Sequence, residues 1–536
     1  VSETEDPQGH WRDDPDNLLS PRSDPGAAAF GALGAEASSE LNWFQMLSVR
    51  VQSRAEGSSR YPWWVLWSLL AGLLALNFTF TVFIVALPRV AGEFHTTTTV
   101  LTWTMVGPLL AYGLAAPILG KAGDIFGHRR LYLFGLAGAM VSAVLTALSS
   151  NVIMLLIART LDGIQGAATG TASGALVNLV FRPQERVKAM GWWSLVGAGG
   201  PVLGVSLGAP IIQAYGWRAL FWTQLLLLLL AFVVVSVVLP RRRGTAAEEI
   251  ERKEKARRDF KTMDWIGSWS LSLSVTALML GLSLGSTVGW TSPICITAWL
   301  TTVIMIGVFI YRINTAVNPL IPAHYFRRRN FVMPMGIRAA GNFAYFGGFF
   351  MFPILMEKGY NYSIAQVGGI SIARPITFAI CSPIAGYVAM RIGERTSTLA
   401  GASFLTLSLG LFAFLQPSTS VWFIALALAL SGLGMGVAMP SSSAIMAYEV
   451  NPSEFGVMSA AQMLAMQVGE VAGIQVLETV QQSLVHRRGL THASPGPALL
   501  ATFHLPFVIG ACVGALGIVC AFFVKRIPRE LSRKRS

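Results

Sequence analysis

From Trp63 onward the chain is a succession of long apolar runs, parted by short polar segments. Many of these runs exceed the 18 or so uncharged residues that read as a bilayer span. They predict fourteen spans, near 63–87, 100–119, 131–149, 152–178, 189–213, 219–239, 265–285, 292–311, 331–355, 366–390, 397–415, 421–447, 456–482 and 500–524. The ninth and thirteenth carry ionisable groups. The expected fold is all-α and polytopic.

Residues 1–61 break this pattern. They hold ten acidic and five basic residues, with Pro7, Pro15, Pro21 and Pro25. Such a stretch buries too little apolar area to fold alone, so a disordered cytoplasmic tail is expected. It lacks the basic start and early apolar core of a signal peptide. Trp43, Phe44, Leu47 and Val51, with Arg50 and Arg54, have helical spacing, and admit either a helix lying on the membrane surface or a frayed helix without a role.

Composition agrees with the spans. The 536 residues are 53% hydrophobic and 12% charged, against about 25% charged in a soluble protein. A soluble enzyme, a disulfide scaffold and a fibrous protein are excluded. The net charge of +13 raises nucleic-acid binding, but its distribution points elsewhere. Placing both termini in the cytoplasm puts 32 of the 40 Lys and Arg residues on that side and five outside, leaving Arg159, Arg338 and Arg374 within spans. Basic residues gather in cytoplasmic loops to fix orientation, so no nucleic-acid partner is expected. Cys295, Cys381, Cys512 and Cys520 all fall in apolar stretches without a C-x-x-C pair, and read as buried thiols.

Two loops divide the chain into a 6 + 2 + 6 arrangement. Residues 62–240 form a first six-helix bundle, 241–263 a loop of mixed charge, 264–330 an inserted helix pair with its linker, 331–524 a second six-helix bundle, and 525–536 a basic cytoplasmic tail. An internal echo supports two related halves. Gly120 and Gly127 follow the second span, Gly386 and Gly393 follow its counterpart in the later six, and basic residues trail both pairs. Repeated six-helix halves are how many transporters place a site at mid-membrane between two moving parts.

At these residues the chain resembles the major facilitator superfamily, and within it the fourteen-spanner drug:proton antiporter branch. The likeness covers about 62–525. Its most specific part is G-x-x-x-D-x-x-G-x-[RK]-[RK] at Gly120, Asp124, Gly127, Arg129 and Arg130, which in the family forms a cytoplasmic gating loop. Arg159, Asp162 and Gly163 are similar to the family's R-x-x-Q-G, and Gly200, Pro201 and Gly204 with Gly208 to the G-P-x-x-G of antiporters. Trp217, Arg218 and Phe221 resemble the W-R-x-x-F that opens the sixth span. Asp264, Trp265 and Gly267, then Asn318, Pro319 and Leu320, resemble the joints flanking the inserted pair. One departure bears on mechanism. Thr79 stands where the branch carries a first-span acid, and Asn77 nearby cannot carry a proton.

An ionisable group at bilayer centre costs roughly 2.5–3.5 kcal/mol, so Arg159, Asp162, Arg338, Arg374 and Glu470 are expected to face the interior or each other. Arg159 and Asp162 are close enough on one helix to pair, and Arg374 with Glu470 is possible across helices. Such pairs admit two readings. They fasten helices, or a carboxylate alternates between an arginine and a proton, with Glu470 the first candidate and Asp162 the second. Arg338, with Thr79 and Asn77, is a candidate for substrate contact.

Both G-x-S-x-G matches, at Ser206 and Ser283, lie within spans and lack a nucleophile elbow. No zinc-protease or P-loop motif occurs, so neither enzyme activity, cofactor nor metal is expected. The resemblance implies a cell-membrane efflux transporter exchanging hydrophobic or amphiphilic compounds for protons. Its rivals are an exporter of an anionic or lipid-like metabolite, with Arg338 and Arg374 as counter-ions, and a transport-inactive interaction partner. The oligomeric state stays open.

Overall fold

The computed structural model describes residues 60–526 except 80, 81, 97, 102, 240–245 and 491–496. The segment 43–54 and most of the tail 525–536 lie outside the described residues. Seven helices longer than ten residues come first: α1 (Tyr61–Asn77), α2 (Val82–Glu93), α3 (Trp103–Phe126), α4 (His128–Ala147), α5 (Val152–Val180), α6 (Arg186–Tyr215) and α7 (Trp217–Val238). The polar α8 (Ala246–Lys261) precedes α9 (Trp265–Val288) and α10 (Pro293–Thr315). The last six of that length are α11 (Arg329–Ile354), α12 (Ala373–Ile392), α13 (Glu394–Ala413), α14 (Val421–Glu449), α15 (Phe455–Arg487) and α16 (His504–Phe523). No strand occurs among the described residues.

Twelve helices among the described residues are long and apolar enough to cross a membrane. The remaining two expected spans, 63–87 and 189–213, fall on α1–α2 and on α6. The first is interrupted among the described residues: α1 ends at Asn77, and Phe78 and Thr79 form a turn. Asn, Thr and Phe are mediocre helix formers, and the Asn77 side-chain amide folds back onto the Leu73 carbonyl at 2.8 Å. An apolar run conceals such a break, because hydropathy does not register helix propensity.

Packing explains why these helices carry apolar residues almost all round. In the first group α3 packs on α5, α5 on α4, α4 on α7 and α7 on α1. In the second, α11 packs on α15 and α16, α16 on α13, and both α12 and α13 on α14. Outward faces remain apolar, as Leu226, Leu230 and Val233 on α7 and Leu300, Val303 and Ile304 on α10 illustrate. A surface of that kind is stable against lipid and not against water.

The groups meet along two seams, α3 and α5 against α15, and α6 against α12 and α14. Glycine permits the tightest crossings. A Cβ at Gly469 or Gly473 of α15 would stand 2.1 or 2.2 Å from the carbonyl oxygens of Ala339 and Phe343 on α11.

The pair α9–α10 lies outside both groups, with α9 packed on α3 and α15. Its joint explains the Asp264–Gly267 motif. Asp264 caps α9 by accepting the Gly267 N–H at 2.9 Å and ion-pairs with Arg312 of α10 at 2.8 Å. Gly267 has no side chain because one would collide with that carboxylate, 2.2 Å away. Phe260 of α8 completes the corner, its ring 5.3 Å from Phe126 and 4.9 Å from Trp265.

Candidate functional site

The first part of the site is the seal between the two groups at the end of the bundle that bears the basic loops. Asp124 closes α3, and its carboxylate accepts the backbone N–H groups of Gly456 and Val457, at 2.7 and 3.0 Å. Those amides belong to the first turn of α15, whose unpaired donors and positive dipole end favour an anion. Gly120 sits one turn before Asp124, where a Cβ would come 2.7 Å from the Gly456 carbonyl oxygen. Gly127 takes φ +96° to turn the chain from α3 into α4, a conformation that favours glycine.

The basic residues of the motif do different work. Arg129 donates to the Ser236 carbonyl on α7 at 2.7 Å, within its own group, and Arg130 is exposed. The side chain facing Asp124 is His128, with Nε2 3.3 Å from Oδ1. The sequence motif offered no reason to single out that histidine.

The second seam repeats the backbone without the acid. Gly386 of α12 approaches α6 so closely that a Cβ would stand 2.8 Å from the Lys188 Cα. Gly393 takes φ +91°, matching Gly127. Met390 occupies the place of Asp124. Contacts from other residues hold this side: Arg186 donates to the Ala447 carbonyl at 3.2 Å and Tyr448 to the Pro183 carbonyl at 2.9 Å. Lys188 Nζ lies 4.7 Å from the ring centroids of both Trp63 and Tyr387, one from each group.

The charged residues within the spans divide into three environments. Arg159 and Asp162 pair on α5, and Asp162 also accepts the hydroxyl of Ser142 on α4. The Arg159 guanidinium lies 5.3 and 5.8 Å from the rings of Phe83 and Phe221, so it is held between α2 and α7. Thr79 is buried one turn before Phe83, and its backbone carbonyl accepts the Phe83 N–H at 3.1 Å. Ser142 carries no sequence signal, since its role arises from helix packing alone.

Arg338 is 2% exposed and donates to Ser443 and, at 3.4 Å, to the Met439 carbonyl. Ser443 in turn donates to Gln462 at 2.9 Å, which ties α11, α14 and α15 together. No carboxylate takes part among the described residues.

Arg374 and Glu470 are not joined. Arg374 is fully buried, donates from Nη1 to the Tyr345 carbonyl at 3.0 Å, and lies over the rings of Tyr345 and Phe349. Among the described residues, none makes a hydrogen bond or ion pair with the Glu470 carboxylate. The cross-helix pair that mid-span positions allowed is therefore absent, since depth along a helix does not fix which face a side chain takes. Gly200, Pro201, Gly204 and Gly208 all fall within α6.

At the opposite end Glu93 gathers three elements. Trp217 donates its indole N–H at 2.7 Å and Arg218 forms an ion pair. Arg218 also reaches the Ser149 carbonyl at 2.8 Å. Burial pushes the Glu93 carboxyl up, but the bonds from Trp217 and Arg218 outweigh it and hold the group below its ordinary value.

Comparison with known proteins places this arrangement. The chain is 26% identical over 436 residues to the tetracenomycin C resistance and export protein of Streptomyces glaucescens, covering 80% of this chain and 78% of that one. It is 28% identical over 482 residues to the puromycin resistance protein pur8 of Streptomyces alboniger, covering 88% and 92%. The crystal structure of the human organic anion transporter MFSD10 (TETRAN) shares the fold with a TM-score of 0.60, at 18% identity over 86% of this chain and 99% of that one. The sequence profile described as Major Facilitator Superfamily matches residues 69–474 and 335–536. This chain, a multi-pass membrane protein, belongs to the Major Facilitator Superfamily.

Proposed function

We propose that the chain is a fourteen-span exporter of hydrophobic and amphiphilic compounds that exchanges them for protons by alternating access. In this reading α1 and the start of α2 make the first span, near 63–87, and α6 the fifth. Residues 62–240 and 331–524 are the rocking bundles, and 264–330 the inserted pair. Placing both termini in the cytoplasm puts 32 of the 40 basic residues on that side, and this bias supports that orientation. The Asp124 seal then closes the cytoplasmic side. Relatives named for tetracenomycin C export and puromycin resistance support efflux.

The observation that carries the proton part is Glu470. Its helix packs on α11 of its own group and on α3 and α5 of the other, and its carboxylate has no partner among the described residues. A carboxylate so placed exchanges protons as the seams open and close. Asp162 is the second carrier, since Arg159 and Ser142 hold its charged form. A proton crossing 100 mV is worth about 2.3 kcal/mol, or roughly a 50-fold gradient of a neutral substrate at about 1.4 kcal/mol per decade.

The test is substrate-triggered proton movement in liposomes with a lipophilic cation dye, comparing wild type, Glu470→Gln and Asp162→Asn. Loss of the proton signal in one variant assigns the carrier. Dye movement without a proton signal in all three removes the antiport reading.

A further inference from the structure

Of the three arginines within the spans, only Arg159 has a carboxylate partner among the described residues. An arginine keeps its proton in proteins, and a buried guanidinium without an anion is unfavourable unless its donors are otherwise met. Arg338 partly meets this condition through two bonds from Nη2, to Ser443 and to the Met439 carbonyl, while its buried Nε is unpartnered. Arg374 does not. Its Nη1 is engaged by the Tyr345 carbonyl, while both Nε and Nη2 are buried and unpartnered. Those two N–H bonds run parallel along one edge of the guanidinium, the fork that takes both oxygens of a carboxylate.

The surroundings of this edge are apolar and aromatic, with a glycine against it. Beside Nη2 lies Gly348, where a Cβ would stand 3.3 Å from that nitrogen. The rings of Tyr345 and Phe349 lie 5.0 and 5.9 Å from the guanidinium carbon, and Phe346 packs against Tyr345 at 5.2 Å. Phe349 is 38% exposed, so the aromatic wall extends from the buried cation to the protein surface. A flat apolar body suits such a wall.

We infer that Arg374 is a carboxylate receptor, and that anionic amphiphiles with a flat apolar body are the compounds this chain takes best. The transport half rests on the efflux function proposed above; the binding half does not. In the exchange the carboxylate enters the fork ionised and leaves ionised, with no bond made or broken.

The experiment uses the purified full chain in detergent and two probes, pyrenebutyrate and its methyl ester, followed by energy transfer from tryptophan. Wild type is expected to bind the acid at least tenfold tighter than the ester. Arg374→Gln should abolish that difference, and Gly348→Ala, which fills the cradle and keeps the charge, should reduce it. Equal binding of acid and ester by wild type overturns the inference without recourse to any variant, as does a preference that survives Arg374→Gln. Liposome transport separates the two ideas. Acid-selective binding with neither probe transported keeps the receptor and removes the efflux function. Transport of the ester or a cationic dye without acid-selective binding does the reverse.

Discussion

The carboxylate of Asp124 and the backbone amide of Gly456 stand 2.7 Å apart across 332 residues of chain. This contact joins the two helix groups through the start of α15 rather than through a basic side chain. A carboxylate on two backbone N–H groups makes charge-assisted bonds, each worth about 1.5–3 kcal/mol. Asparagine at position 124 keeps one acceptor and loses the charge. Asp124→Asn is expected to shift the equilibrium towards the open seal by at least tenfold. Thiol labelling of a cysteine introduced at the Gly120 end of α3 reads that shift, and unchanged labelling would contradict it.

Glycine at the seams gives a steric counterpart. Gly120→Ala and Gly386→Ala each place a methyl group within 3 Å of the opposing helix, at Gly456 and at Lys188. Both are expected to lower transport at least tenfold while leaving helical content intact by circular dichroism. If either transports normally, that crossing does not close during the cycle.

The Gly120–Gly127 and Gly386–Gly393 echo was legible in the sequence because each glycine answers a local demand. One allows close approach, and the other a backbone angle near +90°. Asp264 and Gly267 stood out in the sequence only as a resemblance to a family joint, and the structure gives the local reason, a capped turn. Other features had no local signature. Ser142 meets Asp162 only because α4 packs on α5, and Arg374 turns from Glu470 towards Tyr345 because of how α12 is rotated. The break at Asn77 was concealed by an apolar run that continues through it.

Removing one member of the α5 pair should cost more than removing both. Arg159→Met leaves the Asp162 carboxylate with Ser142 as its principal partner, and loss of a buried partner costs about 3–5 kcal/mol. Thermal unfolding in detergent should show Arg159→Met well below wild type, with Arg159→Met/Asp162→Asn recovering part of the loss. Additive losses would mean that the two side chains act independently.

Glu93 makes the protein acid-sensitive at the other end. Its folded value is depressed, so the contribution is fully present above the ordinary carboxylate value, near 4.5. It is lost as pH falls through the lower folded value. Glu93→Gln should therefore be less stable than wild type at pH 6 and indistinguishable from it at the lowest pH where both remain folded. Trp217→Phe should move the acid transition upward. A gap between wild type and Glu93→Gln that persists into strong acid would assign the stabilisation to shape rather than charge.

The α9–α10 pair depends on Asp264 twice, as cap and as ion-pair partner of Arg312. Asp264→Ala should cost at least the 0.5–2 kcal/mol of a lost cap, read as a lower unfolding temperature. Cross-linking between cysteines on α9 and α10 should fall with it.

That pair also makes the two seams mechanically unlike. On one side α9 bridges α3 and α15, so a rocking motion must slide it over one of them while it keeps hold of the other. The seam between α6 and α12 carries no such splint in the packing described. In the alternating-access reading, lateral entry of a compound dissolved in the bilayer is therefore expected on the α6–α12 side.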